Sequence, residues 1–261
     1  MSVVSLPGLD LGGKTAVVVG GTGGIGRAAA LGLAEAGADV IATGRRIEQV
    51  DRTAREVEGF GRRTLRVAVD VTDRASLERL LAAAVGAFGK VDVLVNCAGK
   101  IRRAPTLDVS ESDWADIIDT NLTGTLRGCQ VFGRHMVERG YGRIVNIASL
   151  TSFVALHEVA AYGASKAAIV ALTHSLAIEW GSKGVCVNAV APGIFRTHLN
   201  EQLLDGTPRG HELLLRTPMK RFGRVEEIRG AVVFLASDAA SFVNGQVLVV
   251  DGGFLASGVN Q

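Results

Sequence analysis

Apolar positions along the chain switch repeatedly between short continuous runs and helical spacing, and this alternation predicts the architecture. Residues 14–19 are a valine-rich run that breaks into glycines and resumes at intervals of three and four through residue 36, which reads as strand, turn and helix. Residues 39–43, 64–69 and 91–95 are further strands, and Thr72 or Asp73 can cap the helix running to about residue 88. Ser110 with Asp113 opens a capped helix ahead of Trp114, Ile117 and Ile118. It is expected to continue to about residue 139 with Asn121, a poor helix former, in its middle. Strands at 142–148, 185–190 and 246–250 and helices at 162–180 and 225–236 complete the series, with Asn244-Gly245 a turn. Strands and helices alternating at this interval predict a parallel sheet with helices on both faces. Residues 194–222 are polar, proline-containing and weakly periodic, as a lid or binding loop would be. No internal repeat or low-complexity linker divides residues 1–261, so one α/β domain is expected.

Composition narrows the function. With 261 residues, 48% of them hydrophobic, the chain can bury a large single core. Its 28 Lys and Arg are scattered among 26 Asp and Glu, which leaves no basic tract suited to nucleic acid and points to small-molecule chemistry. Cys97, Cys129 and Cys186 are odd in number, far apart and outside metal-ligand spacing, as expected of reduced thiols in a cytoplasmic protein. His135, His157, His174, His198 and His211 are equally dispersed, so no metal site is expected. Residues 1–8 lack the basic start and apolar core of a targeting signal, and no apolar run approaches the length of a membrane span.

The first glycine turn can be read in two ways: Gly21-x-Gly23-x-x-Gly26, or Gly20-x-x-x-Gly24-x-Gly26. Either lets the backbone approach a pyrophosphate, whose charge then sits at a helix N-terminus among unpaired N–H groups. After the second strand, where a carboxylate would bind the ribose of NAD, the chain has Gly44-Arg45-Arg46. Arg45 offers a fork for a phosphate, which favours NADP(H) over NAD(H); the alternative is that Arg45 and Arg46 solvate the next helix. Asp70, before Val71, fits an adenine contact or a helix cap equally. The small residues of Asn96-Cys97-Ala98-Gly99 would let that turn lie against a nucleotide.

Ser149 ends the fifth expected strand, and Tyr162-x-x-x-Lys166 opens a long helix. Residues four apart share a helix face, so the ammonium can favour the phenolate and make Tyr162 a proton donor and acceptor. Lys100-Ile101-Arg102-Arg103 puts three cations at the carboxyl end of a central strand, where ligands of such sheets bind, and suggests an acidic substrate. Phe153, Leu156, His157 and Glu158 are candidates for the substrate wall, although His157 also fits an exposed loop.

Taken together, Gly20-x-x-x-Gly24-Ile25-Gly26, Asp70, Asn96-Cys97-Ala98-Gly99, Asn121, Ser149, Tyr162-x-x-x-Lys166 and Pro192-Gly193 resemble the short-chain dehydrogenase/reductase family over nearly the whole chain. Two positions depart from its pattern, Val19 for Thr and Cys97 for Asn. The resemblance implies a Rossmann-type doubly wound fold with a seven-stranded sheet in the order 3-2-1-4-5-6-7, and a homotetramer or homodimer. It divides the domain into a cofactor half at about 10–150 and a catalytic half at about 150–261. It implies Tyr162 as general acid/base, Ser149 as hydrogen-bond donor to the substrate oxygen, Lys166 as the group that lowers the tyrosine pKa and holds the nicotinamide ribose, and Asn121 as support for a water leading to solvent. Gly20, Thr22, Gly23, Gly24, Ile25, Gly26, Arg45, Arg46, Asp70, Val71, Asn96, Ala98, Gly99, Tyr162, Lys166, Pro192, Gly193, Ile194 and Thr197 are then the expected cofactor residues. Arg102, Ser149, His157 and Tyr162 are the expected substrate residues. Within the family, residues 99–103, 112–114 and 252–261 look like gluconate 5-dehydrogenases and related keto-deoxygluconate dehydrogenases, with Arg102 or Arg103 pairing a substrate carboxylate. The competing expectations are a 3-oxoacyl carrier-protein reductase, with Arg127, Arg134 and Arg139 as a docking patch, and a nucleotide sensor without turnover.

Overall fold

In the computed structural model, residues 8–197 and 200–258 are described. The expectations for residues 1–7, for His198 and Leu199 in the lid and for 259–261 lie outside them.

Strands β1 (Thr15–Val19), β2 (Asp39–Thr43), β3 (Val93–Asn96), β4 (Gly142–Ile147), β5 (Val185–Pro192) and β6 (Val247–Val250) form one parallel sheet in the order β2-β1-β3-β4-β5-β6. Their Val and Ile runs are continuous because helices cover both faces. Ala16, Val18, Val93, Val95 and Val145 pack on one side, against α1 (Gly24–Glu35) and α9 (Arg229–Ala236). Val17, Val19, Leu94, Ile144 and Val187 pack on the other, against α3 (Arg74–Phe88), α5 (Gly124–Arg139) and α6 (Ala160–Trp180). The helices α2 (Ile47–Gly59) and α4 (Glu111–Ile118) lie before α3 and α5. Val19 stands opposite both Thr43 and Asn96, and Asn96 opposite Asn146, so the strands end nearly level and their carboxyl ends form one edge.

Three expectations are corrected. The sheet has six strands among the described residues rather than seven, because residues 64–69 run beside β2 without forming a regular ladder. Val40 N–H donates to Arg63 O and Val69 N–H to Gly44 O, with a single bridge at Ala68. Side chains take the remaining positions: Asp39 accepts from Arg63 N–H, and the Thr43 hydroxyl donates to Val67 O. With that segment removed, the order of the other six is the expected one. Second, the helix expected over 110–139 is interrupted by a π turn at Asp119–Thr123, which carries Asn121. Third, residues 194–222, expected as a lid or binding loop, contain two helices, α7 (Glu201–Leu204) and α8 (Pro208–Arg216), the second capped by Thr207. Leu204 and Leu213 pack with Leu150 and Phe254, which anchors this segment beside Ser149.

Beneath the carboxyl edge runs a buried polar chain. Asn96 Nδ2 donates to Asn146 Oδ1 at 2.9 Å and to Cys129 Sγ at 3.3 Å, and Asn146 Nδ2 donates to Thr173 Oγ1 at 3.0 Å. Such a chain is costly unless every member is bonded, and it fixes β3, β4, α5 and α6 relative to one another. Gly128 in α5 makes room for it, since a Cβ there would sit 2.5 Å from Asn96 Oδ1. In an ordinary helix interior, Gly→Ala stabilises by roughly 0.5–1 kcal/mol. Here Gly128→Ala is expected to destabilise by about 1–3 kcal/mol through overpacking, measured as the urea midpoint. A raised midpoint would show that Asn96 is free to move and that the polar chain is not fixed.

Candidate active site

Strand ends and helix starts meet at the carboxyl edge. Between β1 and α1, Gly20 has φ +81° and a Cβ there would lie 2.5 Å from Ala98 N, so the two turns pass backbone against backbone. A Cβ on Gly26 would likewise collide with Gly20 O. No side chain caps the N-terminus of α1 and no acidic residue sits in its first turn. The result is a cradle of N–H groups at the positive end of a helix dipole, with the donors a pyrophosphate needs. Thr197 Cγ2 lies 3.5 Å from where a Cβ on Gly24 would be, so the segment after β5 rests on this turn. Pro192 ends β5, and Gly193 N–H is bonded to Val250 O. Ile194 follows, packed against the apolar cluster of Leu150, Leu204, Leu213 and Phe254.

Gly44 faces Thr22, whose Oγ1 would be 2.7 Å from a Cβ there. Arg45 and Arg46 are exposed, and neither side chain has a hydrogen-bond or ion-pair partner among the described residues. Asp70 Oδ1 accepts from Thr72 N–H and Thr72 Oγ1–H at 2.9 and 2.8 Å, while Asp73 caps α3. The bond from Thr72 N–H, with Arg45 contributing less, holds the Asp70 carboxyl below its ordinary range. Val71 is buried, and its carbonyl accepts from Arg127. Asn96 does not face the edge: its side chain is spent on the buried chain below. The uncapped glycine turn lying against Ala98 has the open backbone a dinucleotide needs, and Asn96 serves it by holding the strand.

Asn121 joins the two halves of the site. Its Oδ1 accepts from Lys100 N–H at 2.8 Å, and its Nδ2 donates to Lys100 O at 2.9 Å and to Ser165 Oγ at 3.1 Å. Ser165 Oγ–H in turn donates to Tyr162 O at 2.7 Å. Sequence reasoning missed Ser165; its place beside Lys166 inside Tyr162-Gly163-Ala164-Ser165-Lys166 was the available signal. Lys166 is buried, with Nζ donating to Ile147 O at 2.7 Å and lying 5.7 Å from the centre of the Tyr162 ring. Ser149 is buried and caps the short turn after it by accepting from Thr151 N–H.

Burial raises the Tyr162 phenol above its ordinary value, and the Ser149 hydroxyl opposes that rise. Lys166, expected to lower that value, has its Nζ bonded to Ile147 O and is not among the groups that shift the phenol here. Burial pushes Lys166 down to about 8 and Cys97 up to about 11, each partly offset by the other. At neutral pH the phenol holds its proton and can donate it.

Of the expected substrate residues, Ser149 and Tyr162 meet, whereas Arg102 and His157 have largely exposed side chains. Arg102 is paired with Asp113, its side chain 62% exposed, and Lys100 with Asp116. Arg103 Nη2 lies 2.6 Å from Glu158 Oε2, and the His157 side chain is 84% exposed. Among the described residues no group of three His, Cys, Asp or Glu side chains converges as a metal site, and no helix is long and apolar enough to cross a membrane.

Comparison with known proteins follows the same pattern. A family model described as Enoyl-(Acyl carrier protein) reductase matches residues 20–255. Gluconate 5-dehydrogenase of Gluconobacter oxydans is 42% identical over 95% of this chain and 97% of its own. D-threitol dehydrogenase of Mycolicibacterium smegmatis is 42% identical over 94% of each. The crystal structure of a gluconate 5-dehydrogenase from Burkholderia cenocepacia, in complex with NADP and tartrate, superposes with a TM-score of 0.92 at 38% identity, covering 96% of this chain and 98% of that one.

Burying Lys166 opposes folding. Unfolded, its amine has the ordinary value of 10.5, and folded about 8. Between those values the unfolded chain binds the extra proton, so this group makes stability rise with pH, and below 8 its full cost is carried. At about 1.4 kcal/mol per pH unit that cost is about 3 kcal/mol, offset by about 1 for the bond to Ile147. Lys166→Met is therefore expected to be about 2 kcal/mol more stable than the native protein at pH 7, with the advantage shrinking towards pH 10.5. Urea midpoints across that range measure it, and a variant less stable at pH 7 would contradict it.

Proposed function

Starting from the short-chain dehydrogenase/reductase family, to which this chain belongs, we propose that the protein is an NAD(P)(H)-dependent oxidoreductase interconverting a secondary alcohol and a ketone on a sugar acid or polyol. The observation that carries this reading is the meeting of Ser149, Tyr162 and Lys166 beside an uncapped glycine turn. When bound, the nicotinamide supplies or takes up the hydride. Tyr162 donates its proton to the developing alkoxide in reduction and removes it in oxidation. Ser149 donates a hydrogen bond to the same oxygen, stabilising charge where it forms. Lys166 places a cation near the phenol and, with the glycine turn, is assigned to the cofactor. Asn121 fixes Lys100 and, through Ser165, the first turn of α6.

Residues of about 10–150 are assigned to the cofactor and about 150–261 to catalysis and substrate. NADP(H) is favoured over NAD(H), because Arg45 is exposed and unpaired among the described residues where a 2′-phosphate would lie. Gluconate and its keto-deoxy relatives are the favoured substrates, with Arg102 or Arg103, each facing a carboxylate of its own in Asp113 or Glu158, pairing the substrate carboxylate. A carrier-protein reductase is disfavoured: Arg127 and Arg139 of the supposed docking patch are tied to Asp119 and Asp92. A cytoplasmic homotetramer or homodimer completes the reading. Ile178 and Phe242 are apolar and almost fully exposed, as surfaces covered by a second copy are.

Initial rates with gluconate and 5-keto-gluconate, each with NADP(H) and NAD(H), test this reading against a short acyl ketoester. Sugar-acid turnover with NADP(H) preferred is expected, with oxidation quickening as pH rises towards the phenol's elevated pKa. Turnover of the ketoester alone would remove the sugar-acid reading. In the same assay Arg45→Ala is expected to weaken NADP binding far more than NAD binding, and equal losses would remove its phosphate role. Sedimentation at micromolar concentration is expected to give a dimer or tetramer, and a monomer would contradict the assembly.

A further inference from the structure

A second cationic group stands over the loop that joins Ser149 to Tyr162, and the sequence pattern did not single it out. Arg209 lies in the first turn of α8 and is partly buried. It is four residues from Leu213, which packs on Leu150 next to Ser149, so Arg209 shares the face of α8 turned towards the site. Its Nη2 donates to His157 O at 3.3 Å. The following residue, Glu158, is paired with Arg103, and its carbonyl accepts from Ala104 N–H at 3.0 Å. Three segments thus converge here: the turn after β3, the loop before α6 and the lid.

The carboxylates of that cluster are unevenly shared. Arg103 and Arg209 face Glu158, with Glu212 exposed on α8 and the His157 side chain turned to solvent. Glu158 is engaged with Arg103, and Arg209 has no carboxylate in ion-pair contact among the described residues. Burial, and after it the like charge of Arg103, disfavour the Arg209 cation, while Glu158 and Glu212 oppose them. Glu158 also holds φ at +67°, in the left-handed region that a side chain seldom adopts. Strain of this kind persists where the surroundings impose it and clusters at ligand clamps.

We propose that Arg209 is the specificity residue for an acidic substrate: with Arg103 it receives the substrate's carboxylate, and Glu158 occupies that place as an internal counter-ion until substrate arrives. The assignment rests on the sugar-acid reading above and adds to it the lid as the element that senses charge. Closing the lid over a carboxylate satisfies Arg209, whereas a neutral polyol leaves it unpaired.

The test compares kcat and KM for gluconate and for neutral D-threitol in the native protein, Arg209→Gln, Arg209→Lys and Glu158→Gln. Arg209→Gln is expected to lower kcat/KM for gluconate by about 10- to 100-fold, mainly through KM, and to leave threitol within about twofold. Arg209→Lys should recover part of the loss, and Glu158→Gln should lower KM for gluconate. Equal losses for both substrates would mean that Arg209 only pins the lid to His157, which overturns the proposal. So would gluconate turnover in Arg209→Gln with KM unchanged, an outcome that leaves the sugar-acid reading standing. Failure of the native protein to turn over gluconate at all would overturn both. Matching thermal midpoints for the variants exclude misfolding as the cause of a loss.

Discussion

The carboxamide of Asn121 is the contact on which the site depends. Inside a π turn, it bonds both backbone groups of Lys100 and reaches Ser165, and through Ser165 the carbonyl of Tyr162. A regular helix would carry this side chain round by a different angle, so the extra residue of the turn is what aims it. The strand end beside the glycine turn and the helix that bears the phenol are thereby held by one amide. That amide donates and accepts together, a pairing that aspartate or leucine at the same position could not reproduce.

Much of this arrangement was legible in the chain. Valine runs gave the strands, the glycines of 20–26 gave the turn, and Tyr162 with Lys166 gave a shared helix face. What the chain concealed has physical causes. The segment at 64–69 has the apolar alternation of a strand, but Asp39 and Thr43 supply side-chain bonds in place of ladder bonds, and propensity does not register that exchange. The cations at 100–103 read as one cluster, whereas the fold gives each its own carboxylate: Asp116 and Asp113 from α4, and Glu158 from a distant loop. Arg209 sits at the start of α8, a helix too short to stand out in the pattern of residues 194–222, and only the fold brings it against His157 O.

Stability and function pull in opposite directions at several of these positions. A buried ammonium and a left-handed glutamate each destabilise the fold where they stand. The parallel sheet, sealed by helices on both faces, supplies the surplus that tolerates them. The same logic explains Gly20 and Gly26, which give up backbone order so that two turns can touch.

The irregular segment beside β2 has a bearing on the protein's behaviour in crowded solution. A free sheet edge offers a row of unpaired N–H and C=O groups, and a stray strand from another molecule can add to it. Here the outer side of β2 is occupied by residues 63–69, bound partly through Asp39 and Thr43, and Arg63 and Arg66 place charge along the outside. A strand that failed to become regular therefore closes this flank of the sheet to templated aggregation.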